Sequence, residues 1–171
     1  MKDFVVSKVV YPQVRAAGKE KSKASFDEAI ALLGKYVEDE KDRMDLAESF
    51  ELSFLQISED WEAYTMKADA KLKDKPLEDQ LGFANGVAWT LYEKCDDPKC
   101  LKMMEKWMDK VVELDPSYAY LDTYAALLFK NGELDSAKKY ALKAIEAGKE
   151  DESDTKETEA LLEKIEGERG E

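Results

Sequence analysis

An all-α fold is predicted by three observations. Ala, Leu, Lys, Glu and Arg make up 85 of the 171 residues, the level at which a helix-built protein becomes the leading reading. Gly and Pro together number 12, too few for a sheet of many tight turns. Apolar residues recur at helical spacing almost throughout, the primary signal of amphipathic helices. At about 150 residues per domain, the length fits one domain over 1–171 with a sizeable core.

The elements follow in order. Asp3 to Ala17 is expected to be helical despite Pro12 and a cluster of Val, with a loop reaching residue 24. Phe26, Ala29, Ile30, Leu33 and Val37 then fall on one helical face. Ser25, with Glu28 three positions on, has the form of a capping box that starts this helix. Leu46, Phe50, Phe54 and Ile57 mark the next helix, and Ser58-Glu59-Asp60 breaks it and offers an N-cap. Trp61, Tyr64, Ala68 and Leu72 form another stripe, ended by Lys75-Pro76, so residues 25–75 read as helical hairpins.

A helix over Leu77–Lys94 carries Leu81, Ala84, Ala88, Leu91 and Tyr92. Asp96-Asp97-Pro98 breaks it and restarts the chain, with Asp at the cap and Pro at the first helical position. Leu101, Met104, Trp107, Met108 and Val111 mark the following helix, which Asp115-Pro116-Ser117 ends. Tyr118, Leu121, Tyr124, Ala125 and Leu128 face inward on the next, and Asn131-Gly132 stops it with residues that tolerate a left-handed conformation. Leu134, Ala137, Ala141, Ala144 and Ile145 define one more helix, expected to close at Gly148. Thr158, Leu161, Leu162 and Ile165 define a capping helix over 153–167. The links are short, so these eight or nine helices are expected to be antiparallel neighbours, a stack of helical hairpins.

Composition removes several chemistries. There is no His, which excludes a His general base, a His-assisted nucleophile and a His-containing zinc site. Two Cys cannot make a Cys₄ site, and no cofactor or metal is called for. The 26 Lys+Arg against 39 Asp+Glu give −13, which repels phosphate backbones and argues against nucleic acid. That charge is uneven: +3 over residues 1–35, −8 over 36–62 and −6 over 151–171, which reads as solvated helix faces. The run Lys19-Glu20-Lys21-Ser22-Lys23 has no interleaved aromatic residue and reads as a solvated loop. The acidic pairs fit neither a calcium loop nor a glycosidase pattern, so an enzyme using carboxylates is the least favoured reading.

No apolar run approaches the ~20 residues of a membrane span. The stretch from Phe4 to Tyr11 is broken by Ser7 and Lys8, unlike a signal-peptide core. Either the chain acts in the cytoplasm or it is a piece of a longer protein. Cys95 and Cys100 flank a helix break at a spacing that is not C-x-x-C. Two ordinary thiols and a disulfide stapling the turn both remain open, the latter needing an oxidising compartment.

Residues 119–149 carry a more specific pattern. Leu121, Tyr124, Ala125 and Leu128 precede a turn at Gly132, followed by Ala137, Ala141 and Ala144. This resembles a tetratricopeptide repeat, in which small residues stand where helices touch. The preceding unit, with Asn85, Ala88, Trp89 and Tyr92 and the closing phrase Glu113-Leu114-Asp115-Pro116, matches in a looser register. Two repeats over 77–148 result, with weaker likeness over 26–82. The run from Phe83 to Gly148, with its acidic link and Thr158–Ile165, also resembles the C-terminal helical region of thioredoxin-like proteins from Bacteroidetes. No C-x-x-C and no βαβ pattern is present, so no redox activity carries over. That resemblance implies a cell-envelope or periplasmic location if the chain is a fragment.

The repeat resemblance implies a groove lined by first helices, here Asn85, Trp89, Tyr92, Asp122, Phe129 and Lys130. Aromatic and amide groups of this kind suit a bound peptide. The function expected is therefore a non-catalytic scaffolding module that binds a protein or peptide segment. A structural accessory or dimerisation region, forming a homodimer without a peptide ligand, is the alternative.

Overall fold

A computed structural model describes residues 6–169, and these form helices joined by short turns, with no strand among the described residues. The expected all-α class therefore holds. The chain divides into two compact units, residues 1–67 and 68–171. The division falls within a helix, so no Gly- or Pro-rich linker marks it.

In the first unit a π-helical turn, Val6–Val10, leads into α1, Tyr11–Lys19. Pro12 sits in the first turn of α1, where its missing N–H costs nothing. Residues 3–5 of the expected first helix lie outside the described residues. Next come α2, Lys23–Ala31, a single turn α3, Leu33–Tyr36, and α4, Glu40–Ile57. The capping box expected at Ser25 is corrected: Ser22 caps α2, its hydroxyl accepting from the Ser25 N–H at 3.2 Å. A left-handed residue, Lys21 at φ 52°, delivers the extended backbone that a cap needs three residues earlier than the sequence pattern suggests. The Arg43 guanidinium donates to the Val37 and Glu38 carbonyls at 2.9 and 2.7 Å and holds the α3–α4 link. Val10, Val14, Ala17, Phe26, Ala29, Leu33, Val37, Phe50 and Phe54 form one buried cluster. Each came from a periodic stripe of its own helix.

Glu59, also left-handed at φ 59°, turns the chain into α5, Trp61–Asp74. Asp60 caps it, accepting from the Ala63 N–H at 3.1 Å.

In the second unit the helix expected from Leu77 is corrected. A 3₁₀ turn occupies Leu77–Asp79, and α6 spans Leu81–Lys94. Between them the buried Gln80 amide donates to the Leu72 and Lys75 carbonyls at 3.3 and 3.0 Å. Those acceptors lie at the end of α5, where carbonyls lack helical partners, and satisfying them breaks the pattern. Then follow α7, Pro98–Leu114, α8, Tyr118–Lys130, α9, Leu134–Glu150, and α10, Lys156–Arg169. Asp97 caps α7 as expected, accepting from the Lys99 N–H at 2.8 Å.

Within this unit α6 packs on α7, α7 on α8, α8 on α9 and α9 on α10. In addition α6 touches α8, and α8 touches α10. Small side chains permit the close approaches: Ala88, Ala125, Ala137 and Ala144 are fully buried. Gly148 does not end α9, which continues to Glu150. A Cβ there would sit 2.5 Å from Thr155 Cγ2 and 2.9 Å from Tyr118 Cδ2. Its smallness serves packing, while the left-handed turn falls on Glu152 at φ 56°.

Candidate functional site

Asn85, Trp89 and Tyr92 lie at i, i+4 and i+7 on α6 and share a face. The Trp89 and Tyr92 rings meet with centroids 5.3 Å apart, tilted by 47°. The Asn85 Oδ1 atom is buried and has no hydrogen-bond partner, a state that costs about 1–3 kcal/mol. Beside this row stand Gly82 and Gly86, both exposed, where an added Cβ would meet nothing within 4 Å.

Asp122, Phe129 and Lys130 come from α8. The Asp122 carboxylate accepts from the Thr158 hydroxyl of α10 at 2.6 Å. Thr158 is fully buried, and the Tyr118 hydroxyl lies 3.0 Å from it while donating to the Asp154 carbonyl at 3.0 Å. Burial pushes the Asp122 carboxyl above its ordinary value; the Thr158 bond works against this and the charge of Glu157 adds to it. Burial also pushes the Tyr92 phenol up, helped by the charges of Asp122 and Glu93. Asp122 and Tyr92 are thus brought together from two helices.

Lys130 is committed elsewhere. Its Nζ donates to the Tyr92 carbonyl at 2.6 Å, pairs with Asp96 at 3.0 Å and stands 5.9 Å from the Tyr92 ring. It thereby tethers α8 to the C-terminal end of α6, where a cation favours the helix dipole. Phe129 is half-buried beside it in sequence.

Cys95 and Cys100 are free thiols, both buried. Burial pushes the Cys95 thiol up, the Asp97 N–H donating to its Sγ at 3.4 Å works against this, and the adjoining Cys100 raises it further. A disfavoured thiolate is a poor nucleophile.

Two contacts escaped sequence reading. Trp107, expected in the core, donates from Nε1 to Asp69 at 2.9 Å, with Lys73 on the same carboxylate at 2.6 Å and Lys110 4.6 Å from the ring. A cavity of about 460 Å³ lies between α7 and α9, lined by Val112, Pro116, Leu121 and Tyr140 with Lys143 and Glu146. Neither has a motif in the sequence, because each joins residues of different helices.

Among the described residues, no group of three or more His, Cys, Asp or Glu is placed to hold a metal ion. No helix among them is long and apolar enough to cross a membrane. The class defined so far is an all-α protein presenting a small-residue and aromatic face on α6 and α8. Comparison with known protein families, curated proteins and solved structures finds no match for the chain.

Proposed function

We propose that residues 68–171 form a tetratricopeptide-like stack that binds a partner protein segment along the face of α6 and α8, without catalysis. The packing order supports this reading. Alternate helices α6, α8 and α10 touch in succession while α7 and α9 fill between them, as stacked hairpins require.

The observation that carries the binding role is the composition of α6 around Asn85. A glycine inside a helix costs about 1 kcal/mol relative to Ala. Gly82 and Gly86 incur that cost with open space where a Cβ would be. Their smallness does nothing for the folded chain and leaves the backbone open to a close neighbour. Next to them, the Asn85 oxygen lacks a partner, and an amide turned outward to a partner N–H relieves that cost. Trp89 and Tyr92 supply ring surface on the same face.

The test uses the full chain as bait, with Gly86→Ala and Trp89→Ala variants beside it. A retained partner should be lost or weakened by both substitutions, with Gly86→Ala at least as stable as the parent. A partner insensitive to both would overturn the reading.

A second reading, an accessory or dimerisation region of a thioredoxin-like protein, is favoured by one feature of the first unit. Met44 is 67% exposed at the rim of a cavity of about 340 Å³ that Ile30, Leu33 and Ala47 also line. A concentration-independent dimer by light scattering, with no partner retained, would favour it.

A further inference from the structure

The partner-binding reading leaves the chemistry of the bound segment open, and the surroundings of Asp122 narrow it. This carboxylate is partly buried on α8, and the groups that act on it are Thr158 and Glu157, neither a cation. Lys130, the basic residue of the same helix, is taken up by the Tyr92 carbonyl and Asp96. Lys156, on the helix that supplies Thr158, pairs with Asp154 at 3.1 Å. The charges reaching the Tyr92 phenol are those of Asp122 and Glu93, both acidic. Trp89 stacks beside Tyr92, so two aromatic rings adjoin an uncompensated carboxylate.

A cation gains from both components: a partly desolvated carboxylate attracts it more strongly than one in water, and ring faces attract it by their quadrupoles. We propose, resting on the partner-binding reading, that Asp122, Tyr92 and Trp89 receive a lysine or arginine side chain of an extended partner segment. The ammonium or guanidinium meets the Asp122 carboxylate, and the side-chain stem lies along the Trp89 and Tyr92 rings. The segment's backbone passes the bare helix surface at Gly82 and Gly86. The −13 charge of the chain assists the encounter, while the pocketed carboxylate selects the residue.

The test titrates the full chain with a short peptide of alternating lysine and alanine, and with the same peptide acetylated on every lysine. Asp122→Asn keeps an acceptor for Thr158, so folding is retained and checked by circular dichroism. Glu62→Gln removes one charge from an exposed site and serves as the control for general attraction. Binding of the cationic peptide should weaken by about tenfold in Asp122→Asn and in Trp89→Ala, and by less than about twofold in Glu62→Gln. The acetylated peptide should not bind. Equal losses in Asp122→Asn and Glu62→Gln, binding of the acetylated peptide, or no binding at all would overturn the proposal. Spermine binding as tightly as the peptide, with the same dependence on Asp122, would also overturn it, because the site would then take a free polycation. If a captured partner depends on Trp89 but not on Asp122, the basic-segment inference falls and the partner-binding reading stands. Dependence on neither removes both.

Discussion

Thr158 of α10 gives its hydroxyl proton to the Asp122 carboxylate of α8 across 2.6 Å. The bond joins the last described helix to the middle of the second unit, and it is the one stabilising contact on a carboxylate that burial disfavours. Removing the donor by Thr158→Val, which keeps the shape, should destabilise the fold by about 1–3 kcal/mol, because a buried acceptor is left unsatisfied. Urea unfolding monitored by circular dichroism measures this.

Asp122→Asn should have the opposite sign at neutral pH. The folded-state pKa of Asp122 lies above its ordinary value of 3.8. Between those two values the folded state binds the extra proton, so this residue's contribution to stability falls as pH rises through that window and then stays low. The amide removes that penalty while still accepting from Thr158. Thermal midpoints of the parent and the variant should converge at pH values below 3.8 and separate above it, with the variant higher.

Three glycines predict opposite responses to the same substitution. At Gly148 an added Cβ meets Thr155 and Tyr118, and at Gly18 it lies 2.8 Å from Ile57 Cβ. Gly148→Ala and Gly18→Ala should therefore destabilise by about 1–3 kcal/mol through overpacking. At Gly86 nothing is met, and Gly86→Ala should stabilise by about 0.5–1 kcal/mol through helix propensity. Thermal unfolding of the three variants checks the pattern, and destabilisation at Gly86 would contradict it.

The hairpin turns show what was legible in the sequence and what was not. Four turns share one hydrogen bond, in which the residue after a left-handed position reaches back five residues: Ser22 N–H to Ala17, Asp60 to Leu55, Glu133 to Leu128 and Ser153 to Gly148. The left-handed residues are Lys21, Glu59, Gly132 and Glu152. Only Gly132 was readable as such, because glycine alone advertises a positive φ, whereas Lys and Glu there look like solvated loop. The same masking moved the expected start of α2 from Lys23 to Ser25. Stripes such as Val10-Val14-Ala17 were legible because burial along one helix leaves a period. Asp122 with Thr158, or Lys130 with the Tyr92 carbonyl, leaves none, since each depends on how separate helices are brought together. The turns carry their own prediction: Lys21→Gly, Glu59→Gly and Glu152→Gly should each stabilise by about 0.5–1 kcal/mol, because a left-handed conformation costs non-glycine residues about 1–2 kcal/mol and glycine gives part back in chain entropy. Denaturant midpoints of the single variants measure each gain.

Trp107 and Asp69 tie α7 to the end of α5 in a way that pH reveals. Burial acts upward on the Asp69 carboxyl, but the hydrogen bonds from Lys73 and Trp107 outweigh it and hold it below the ordinary 3.8. A lowered folded-state pKa means that the ionised carboxylate stabilises the fold above the ordinary value, and that this contribution is lost as pH falls through the folded value. Trp107→Phe keeps the ring but removes the Nε1 donor. It should cost about 1–2 kcal/mol at neutral pH, since the carboxylate loses a partner in a half-buried site. The same substitution should raise the Asp69 pKa toward 3.8 and shift the acid unfolding limb to higher pH. Carboxyl-carbon NMR titration of Asp69 in the parent and in Trp107→Phe reads the pKa change directly, and an unchanged titration would mean that Lys73 alone holds the carboxylate.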